Sequence, residues 1–142
     1  MTPHEPPALD LRDPRQAGVY RVMQADVASL VRIATEESVA VHEIDLEGAD
    51  DKDAMLARVH RALDFPADWG RNWDAFEDGL RDLSWLGDET PRLLIWRGMD
   101  DLHADAPEVE ETLCAILDDG SAYWADEGIA LWSLVVIADL PV

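Results

Sequence analysis

The feature that most constrains the fold is the run at residues 93–96, Leu-Leu-Ile-Trp, which contains no polar side chain and follows shortly after Pro91. A strand with one solvated face alternates apolar and polar side chains, whereas a strand covered on both faces is apolar throughout. The run therefore predicts an interior strand of a sheet that is covered on both faces. The apolar stretch at residues 129–137 predicts another strand, the last of the chain.

Helical patterns alternate with strand patterns along the chain. The predicted elements, in chain order, are strand 18–22, helix 26–36, strand 39–46, helix 51–63, a helix after residue 72, strand 92–96, helix 107–128 and strand 129–137. Asp26 and Asn72 carry side chains that are suited to cap the N-termini of the helices that follow them. The alternation predicts an α/β fold with a mainly parallel sheet.

The length of 142 residues suits one domain that is large enough to bury its own core. Residues 1–17 are rich in proline and show no periodic pattern, which predicts a flexible N-terminal arm. No repeat and no linker interrupts residues 18–137, so we expect residues 18–142 to form a single domain.

The chain is strongly acidic, with 11 Lys and Arg against 31 Asp and Glu and a formal net charge of −20. Residues 98–142 contain eleven of the acids and no Lys or Arg, so their surface carries a negative field. Repulsion from phosphate argues against nucleic acids and anionic membranes as direct partners. Charge alone leaves two interpretations open, a means of keeping the chain in solution and a surface that attracts a basic partner.

The motifs of common enzymes and cofactor sites are missing. The sequence has no glycine-rich phosphate loop, no dinucleotide-binding fingerprint and no nucleophile elbow. Its four histidines lie in separate segments, and its single cysteine, Cys114, lies between apolar helix positions. We therefore predict no catalytic residues, no cofactor and no metal site.

Features of membrane insertion or export are missing as well. The longest apolar run, at residues 129–138, is interrupted by Ser133 and is too short to span a bilayer. The N-terminal residues lack the apolar segment of a signal peptide. These observations predict a soluble, cytoplasmic protein.

Four carboxylates lie close together on the helix predicted after residue 72: Asp74, Glu77, Asp78 and Asp82. The spacing of four residues stacks positions 74, 78 and 82, and like charges at this spacing cost a helix about 0.2–0.5 kcal/mol per pair. Asp68 adds a carboxylate in the preceding loop. Three interpretations remain open: an ordinary solvated face, a Mg²⁺ site in a small metal-dependent enzyme that uses Asp74 and Asp78, and a docking surface whose carboxylates replace phosphates in a basic cleft.

Residues 63–80 (LDFPADWGRNWDAFEDGL), the strand that ends at Trp96 and the pair Glu127-Gly128 before the last strand resemble the barstar family. Six positions carry the core of this motif: Pro66, Gly70, Asn72, Asp74, Ala75 and Asp78. The resemblance covers residues 39–137, with residues 18–38 as an N-terminal strand and helix extension. It implies a barstar-like α/β fold, a three-stranded parallel sheet flanked by helices.

The resemblance also implies a function. Barstar-family proteins inhibit secreted ribonucleases inside the cell that produces them, and the aspartates that match Asp74 and Asp78 meet basic side chains in the nuclease active site. The chain is thus expected to be a stoichiometric inhibitor of a basic ribonuclease, secreted or toxin-type, and a bacterial antitoxin or immunity protein rather than an enzyme. A barstar-like module that binds another kind of basic protein is the alternative.

The partner-binding residues implied by the resemblance lie on the loop and helix around residue 72, with one on the last helix. They are Asp68, Trp69, Gly70, Asn72, Asp74, Glu77, Asp78 and Tyr123. The family's namesake has aromatic side chains at the positions of Asp68 and Glu77, which implies a different or more basic partner here. The glutamate that the family carries on its last helix aligns with Tyr123, or with Asp119 if the gap is moved.

Overall fold

Four parallel strands form one sheet in residues 9–137, the part of the chain that the structure, a computed structural model, describes. The strands are β1 (Val19–Met23), β2 (Ala40–Asp45), β3 (Arg92–Arg97) and β4 (Leu131–Ile137). Their order in the sheet is β1-β4-β3-β2. Residues 1–8 of the predicted arm and residues 138–142 of the predicted domain lie outside the described residues.

The strand β3 lies in the interior of the sheet, as the apolar run predicts. It pairs with β2 on one side and with β4 on the other. Its residues 93–96 are at most 1% exposed, because helices cover both faces of the sheet. The prediction of an α/β fold around a parallel sheet is confirmed.

The prediction of a three-stranded sheet was wrong by one strand, because the N-terminal extension joins the sheet. β1 pairs in parallel with β4, from Val19 opposite Ser133 to Met23 opposite Ile137. Without β1, β4 would be an edge strand with a row of unpaired backbone N–H and C=O groups. The extension and the barstar-like core therefore share one sheet.

Five α-helices lie on the two faces of the sheet in the described range. They are α1 (Val27–Glu36), α2 (Lys52–Ala62), α3 (Trp73–Leu80), α4 (Met99–Asp105) and α5 (Pro107–Asp126). α1 packs on the face that carries Leu93 and Ile95, whereas the other four helices pack on the face that carries Leu94 and Trp96. Among the helices of residues 9–137, none combines the length and apolarity that crossing a membrane requires.

Most helix boundaries follow the sequence signals. α5 continues through Gly120 as a single helix, as predicted. Asp26 precedes α1 but makes no capping hydrogen bond, because it ends a 3₁₀ turn whose backbone is already helical. The short helix α4 was not predicted, and it fills the connection between β3 and α5.

The prediction of a flexible arm does not hold for residues 9–17. Leu11 is 1% exposed and belongs to the core on the α1 side of the sheet. Its carbonyl oxygen accepts a hydrogen bond of 2.8 Å from the indole Nε1–H of Trp132, and its backbone N–H donates to Glu37 Oε2. A buried indole N–H needs an acceptor, so this segment is part of the folded core.

Candidate protein-binding surface

The helix α3 begins where the sequence predicts, because Asn72 caps it. The backbone of Asn72 is extended, and its side-chain Oδ1 accepts a hydrogen bond of 2.8 Å from the backbone N–H of Ala75. Asp74 then lies in the first turn, where the helix dipole favours a negative charge. The cap therefore fixes the position of the Asp74 carboxylate relative to the preceding loop.

Three carboxylates of α3 form what we call the acidic ridge: Asp74, Glu77 and Asp78. Asp74 and Asp78 are exposed and one helical turn apart, and Glu77 is partly exposed between them. Asp68 is exposed in the preceding loop. Asp74 forms no ion pair or side-chain hydrogen bond with any residue of the described range. The ridge thus presents at least one free carboxylate to solvent.

Arg81, just beyond the end of α3, partly neutralises the acidic ridge. Its Nη2 lies 3.0 Å from Asp78 Oδ1, and its Nη1 lies 3.9 Å from Glu77 Oε1. Both pairs are exposed to solvent, with 67% of the Asp78 side chain accessible, and such pairs contribute only about 0–1 kcal/mol. The ion pairs of Arg81 therefore contribute little to stability and leave the acidic ridge accessible to solvent.

Asp82 does not belong to the ridge, so the predicted stack of positions 74, 78 and 82 was wrong at its last member. α3 ends at Leu80, and Leu83 takes a left-handed backbone with φ of 53°. This turn brings the Leu83 side chain into the core, where it is 3% exposed. Asp82 instead accepts a hydrogen bond of 3.3 Å from the backbone N–H of Ser84.

An aromatic cluster lies behind the loop that precedes α3. The ring of Trp69 is 6.3 Å from that of Phe65 and 5.2 Å from that of Trp85. The indole Nε1–H of Trp69 donates a hydrogen bond of 2.7 Å to the carbonyl oxygen of Ala75 in α3. Trp69, one of the predicted binding residues, is therefore only partly exposed, and its N–H ties the loop to α3.

Gly70 is held in a narrow space beside the cap. A Cβ at this position would lie 2.9 Å from Nδ2 of Asn72, so a larger residue would press on the capping side chain. The carbonyl oxygen of Gly70 also lies 3.0 Å from Nε2 of His60 in α2. The absence of a side chain at Gly70 thus leaves room for the Asn72 side chain that caps α3.

Tyr123 lies on α5 next to Trp124, the residue that joins α5 to the end of α3. Tyr123 is 39% exposed, and its ring packs edge-on against Trp124, with ring centroids 5.4 Å apart. Trp124 in turn donates a hydrogen bond of 2.8 Å from Nε1 to the carbonyl oxygen of Leu80, the last residue of α3. Tyr123 and Arg81 line one pocket, whereas Asp119, the other alignment candidate, does not line it.

Sequence reasoning missed two parts of this region. The pairing of Arg81 with the ridge could have been predicted from the sequence, because Arg81 lies three residues after Asp78 and four after Glu77, spacings that bring side chains together on a helix. The pocket beside Tyr123 has no such signal, because its walls come from segments far apart in the chain: residues 81–90 after α3, Arg92 of β3, the end of α5 and the start of β4.

The interpretation as a metal-dependent enzyme finds no ligand set in the described residues. Within residues 9–137, no group of three or more His, Cys, Asp or Glu side chains is arranged to hold a metal ion. Asp74 and Asp78 are close by helical spacing, but they face solvent beside an arginine that already pairs with one of them.

These observations define a class of protein, a small α/β domain that presents a capped acidic helix next to a loop held by aromatic side chains. The family model described as Barstar (barnase inhibitor) matches residues 39–136, more than half of the chain. The chain therefore belongs to the barstar family, and the resemblance in its sequence is confirmed. A search of curated proteins found no match.

Proposed function

We propose that this chain is a stoichiometric protein inhibitor of a basic ribonuclease, and that it binds through the acidic ridge and the loop before it. The proposal is based mainly on Asp74. Its carboxylate is exposed and unpaired among the described residues, and the Asn72 cap fixes the helix turn on which it lies. Its neighbour Asp78 lies one turn further along the same helix. The membership in a family described as barnase inhibitors supports this function.

The acidic ridge suits an RNA-binding cleft for electrostatic reasons. Such a cleft binds phosphates through Arg and Lys side chains, and a carboxylate accepts the same bidentate hydrogen bonds from a guanidinium. Two carboxylates on one rigid helix therefore occupy phosphate positions without the entropy loss of ordering a flexible ligand. RNA is excluded because the cleft is filled, so inhibition is competitive and needs one inhibitor per nuclease.

The partner is expected to be more basic at its rim than the target of the family's namesake. Asp68 and Glu77 occupy positions where the namesake has aromatic side chains, and both are available to solvent. Additional carboxylates at these positions favour a partner with additional Arg or Lys side chains opposite them. A secreted or toxin-type nuclease, held inactive in the bacterial cytoplasm by this chain, fits that description.

A capture experiment with matched variants tests the proposal. The chain is immobilised and exposed at low salt to a lysate of the cells that make it, and bound protein is released at high salt and assayed for RNA cleavage. We expect release of a ribonuclease that one molar equivalent of free chain inactivates. The double variant Asp74→Asn/Asp78→Asn should capture much less of it than Asp53→Asn/Asp126→Asn, which has the same net charge.

Two results would contradict the proposal. Equal capture by the two double variants would mean that net charge, and not the acidic ridge, holds the partner. Capture of a basic protein that cleaves no RNA after release would favour the alternative of a barstar-family module with a non-nuclease partner.

A further inference from the structure

We propose that the pocket beside Tyr123 is a specificity subsite that takes an arginine side chain of the partner. This inference rests on the proposed function, because it assumes a basic protein docked on the acidic ridge. The pocket has a volume of about 410 Å³ and lies between the end of α3, the loop at residues 84–90 and the end of α5. That volume is within the range of about 300–1,000 Å³ that is typical of ligand pockets.

The walls of the pocket suit the long apolar stem and flat head of an arginine. Leu83, Trp124 and Leu131 contribute buried apolar surface to its lining. Tyr123 lines the same pocket with a partly exposed ring. Methylene groups gain from contact with apolar walls, and a guanidinium stacks favourably over a tyrosine ring.

The two arginines that line the pocket are already engaged by groups of this chain. Arg81 points its guanidinium nitrogens to Asp78 and Glu77 on the acidic ridge. Arg92 is buried, with Nη1 3.0 Å from His42 Nε2 and Nη2 donating a hydrogen bond of 3.2 Å to the carbonyl oxygen of Asp88. The charge of Arg81 is therefore paired at the acidic ridge, whereas Arg92 contributes one positive charge to a lining that also holds four carboxylates.

The carboxylates of the pocket outnumber its arginines and are available. Four of them line it: Asp82, Asp88, Glu89 and Glu127. All four are exposed, and none of them forms an ion pair with another residue in the described part of the chain. A planar guanidinium that enters the pocket can pair with a carboxylate in a bidentate manner, which a lysine ammonium cannot do. The charge and the shape of the pocket thus favour arginine.

The position of the pocket explains why a docked protein would fill it. Arg81 contacts the acidic ridge with its guanidinium and lines the pocket at the same time, so the ridge and the pocket are neighbours. Interfaces commonly depend on a few anchor side chains that are seated in pockets. Asp68 and Glu77 replace the namesake's aromatic side chains. An arginine of the partner that binds in the pocket beside Tyr123 would therefore act as the anchor side chain of this interface.

The test uses the isolated chain and a small probe, so it does not depend on any ribonuclease. N-acetyl-arginine methylamide is titrated at low salt against the isotope-labelled chain, and backbone and indole NMR shifts are followed. We expect saturable shifts at Tyr123 and at the Trp124 indole. The citrulline analogue, which is neutral and has nearly the same shape, should leave these signals unchanged.

Variants separate the pocket from general attraction to an acidic protein. Glu127→Gln should weaken probe binding several-fold, whereas Asp126→Asn, the adjacent exposed carboxylate outside the pocket lining, should leave it unchanged. Shifts that do not saturate, or equal binding of the citrulline analogue, would overturn the subsite. Such a failure would leave the inhibitor proposal standing, because that proposal is tested by capture through Asp74 and Asp78.

Discussion

Arg81 is the residue that sets how much negative charge α3 presents. It contacts Asp78 and Glu77 through exposed ion pairs, while Asp74 stays unpaired among the described residues. An exposed pair gains little from Coulomb attraction in water and orders two long side chains. We infer that Arg81 screens the acidic ridge in the free protein and is displaced when a basic partner binds.

Replacing Arg81 with alanine should therefore tighten binding of the captured ribonuclease. We expect Arg81→Ala to lower the dissociation constant several-fold and to change the free energy of unfolding by less than about 1 kcal/mol. Arg32→Ala is the matched control, since Arg32 is exposed on α1 across the sheet and its loss changes the net charge equally. Weaker binding of Arg81→Ala would show that Arg81 itself contacts the partner.

His42 is a second residue whose surroundings predict a measurable effect. Burial and, next, the nearby charge of Arg92 lower the pKa of His42, and the charge of Asp64 opposes this only in part. The imidazole Nε2 lies 3.0 Å from Arg92 Nη1, so a neutral ring can accept a hydrogen bond there. As the pH falls below about 6.5, the unfolded chain takes up this proton before the folded chain does.

Protonation of His42 should consequently lower the free energy of unfolding at acidic pH. The folded pKa is the lower one, so this contribution to stability is complete above about pH 6.5 and decreases as the pH falls towards the folded pKa. Glutamine offers Arg92 an acceptor that does not titrate. We expect urea unfolding to show a larger loss of stability between about pH 7.5 and about pH 5.5 for the wild type than for His42→Gln. Parallel losses would contradict this assignment.

At the scale of the elements, the packing of α5 on the end of α3 places Tyr123 in the pocket that Arg81 also lines. Gly120 permits this approach, because a Cβ at that position would lie 2.6 Å from Cδ2 of Leu80. Leu80 is fully buried and has little room to move. The hydrogen bond from Trp124 to the Leu80 carbonyl oxygen then joins the two helices. Glycine weakens an isolated helix by about 1 kcal/mol relative to alanine, but at position 120 it stabilises the protein because it allows α5 to pack closely on α3.

Gly120→Ala should destabilise the protein even though alanine is the better helix former. Overpacking against Leu80 costs about 1–3 kcal/mol, which exceeds the gain of about 1 kcal/mol in helix propensity. The measurement is the free energy of unfolding in urea. Ala115→Gly, at an exposed position of the same helix, is the control, because it measures the difference in helix propensity between alanine and glycine without a change in packing. A more stable Gly120→Ala variant would mean that the two helices do not pack as closely as described.

Some of these elements could be predicted from the sequence, and others could not. The interior strand β3 and the cap at Asn72 follow from local signals, an apolar run and a side chain that bonds three residues ahead. The end of α3 was misplaced because burial of Leu83, a tertiary contact, overrides the helical pattern through Asp82. Leu11 was assigned to a flexible arm because its partner Trp132 lies 121 residues away in the chain.

At the scale of the whole molecule, the net charge of −20 governs how the protein meets a partner. Opposite fields raise association rates by about 10–10³-fold, and salt weakens this effect. Steering by the overall charge acts on any basic protein, so it cannot by itself select one. Selectivity must come from carboxylates in fixed positions, and the Asn72 cap gives Asp74 such a position.

The most direct test of this account compares two aspartates in the first turns of two capped helices. Asp74 begins α3 after Asn72, and Asp53 begins α2 after Asp51, whose side chain also caps its helix. Calorimetric titration of the captured ribonuclease should show that Asp74→Ala weakens binding by about 2 kcal/mol or more, roughly 30-fold. Asp53→Ala, which changes the net charge equally, should stay within about threefold of the wild type. Equal losses for the two variants would contradict the claim that the acidic ridge on α3 is the binding site.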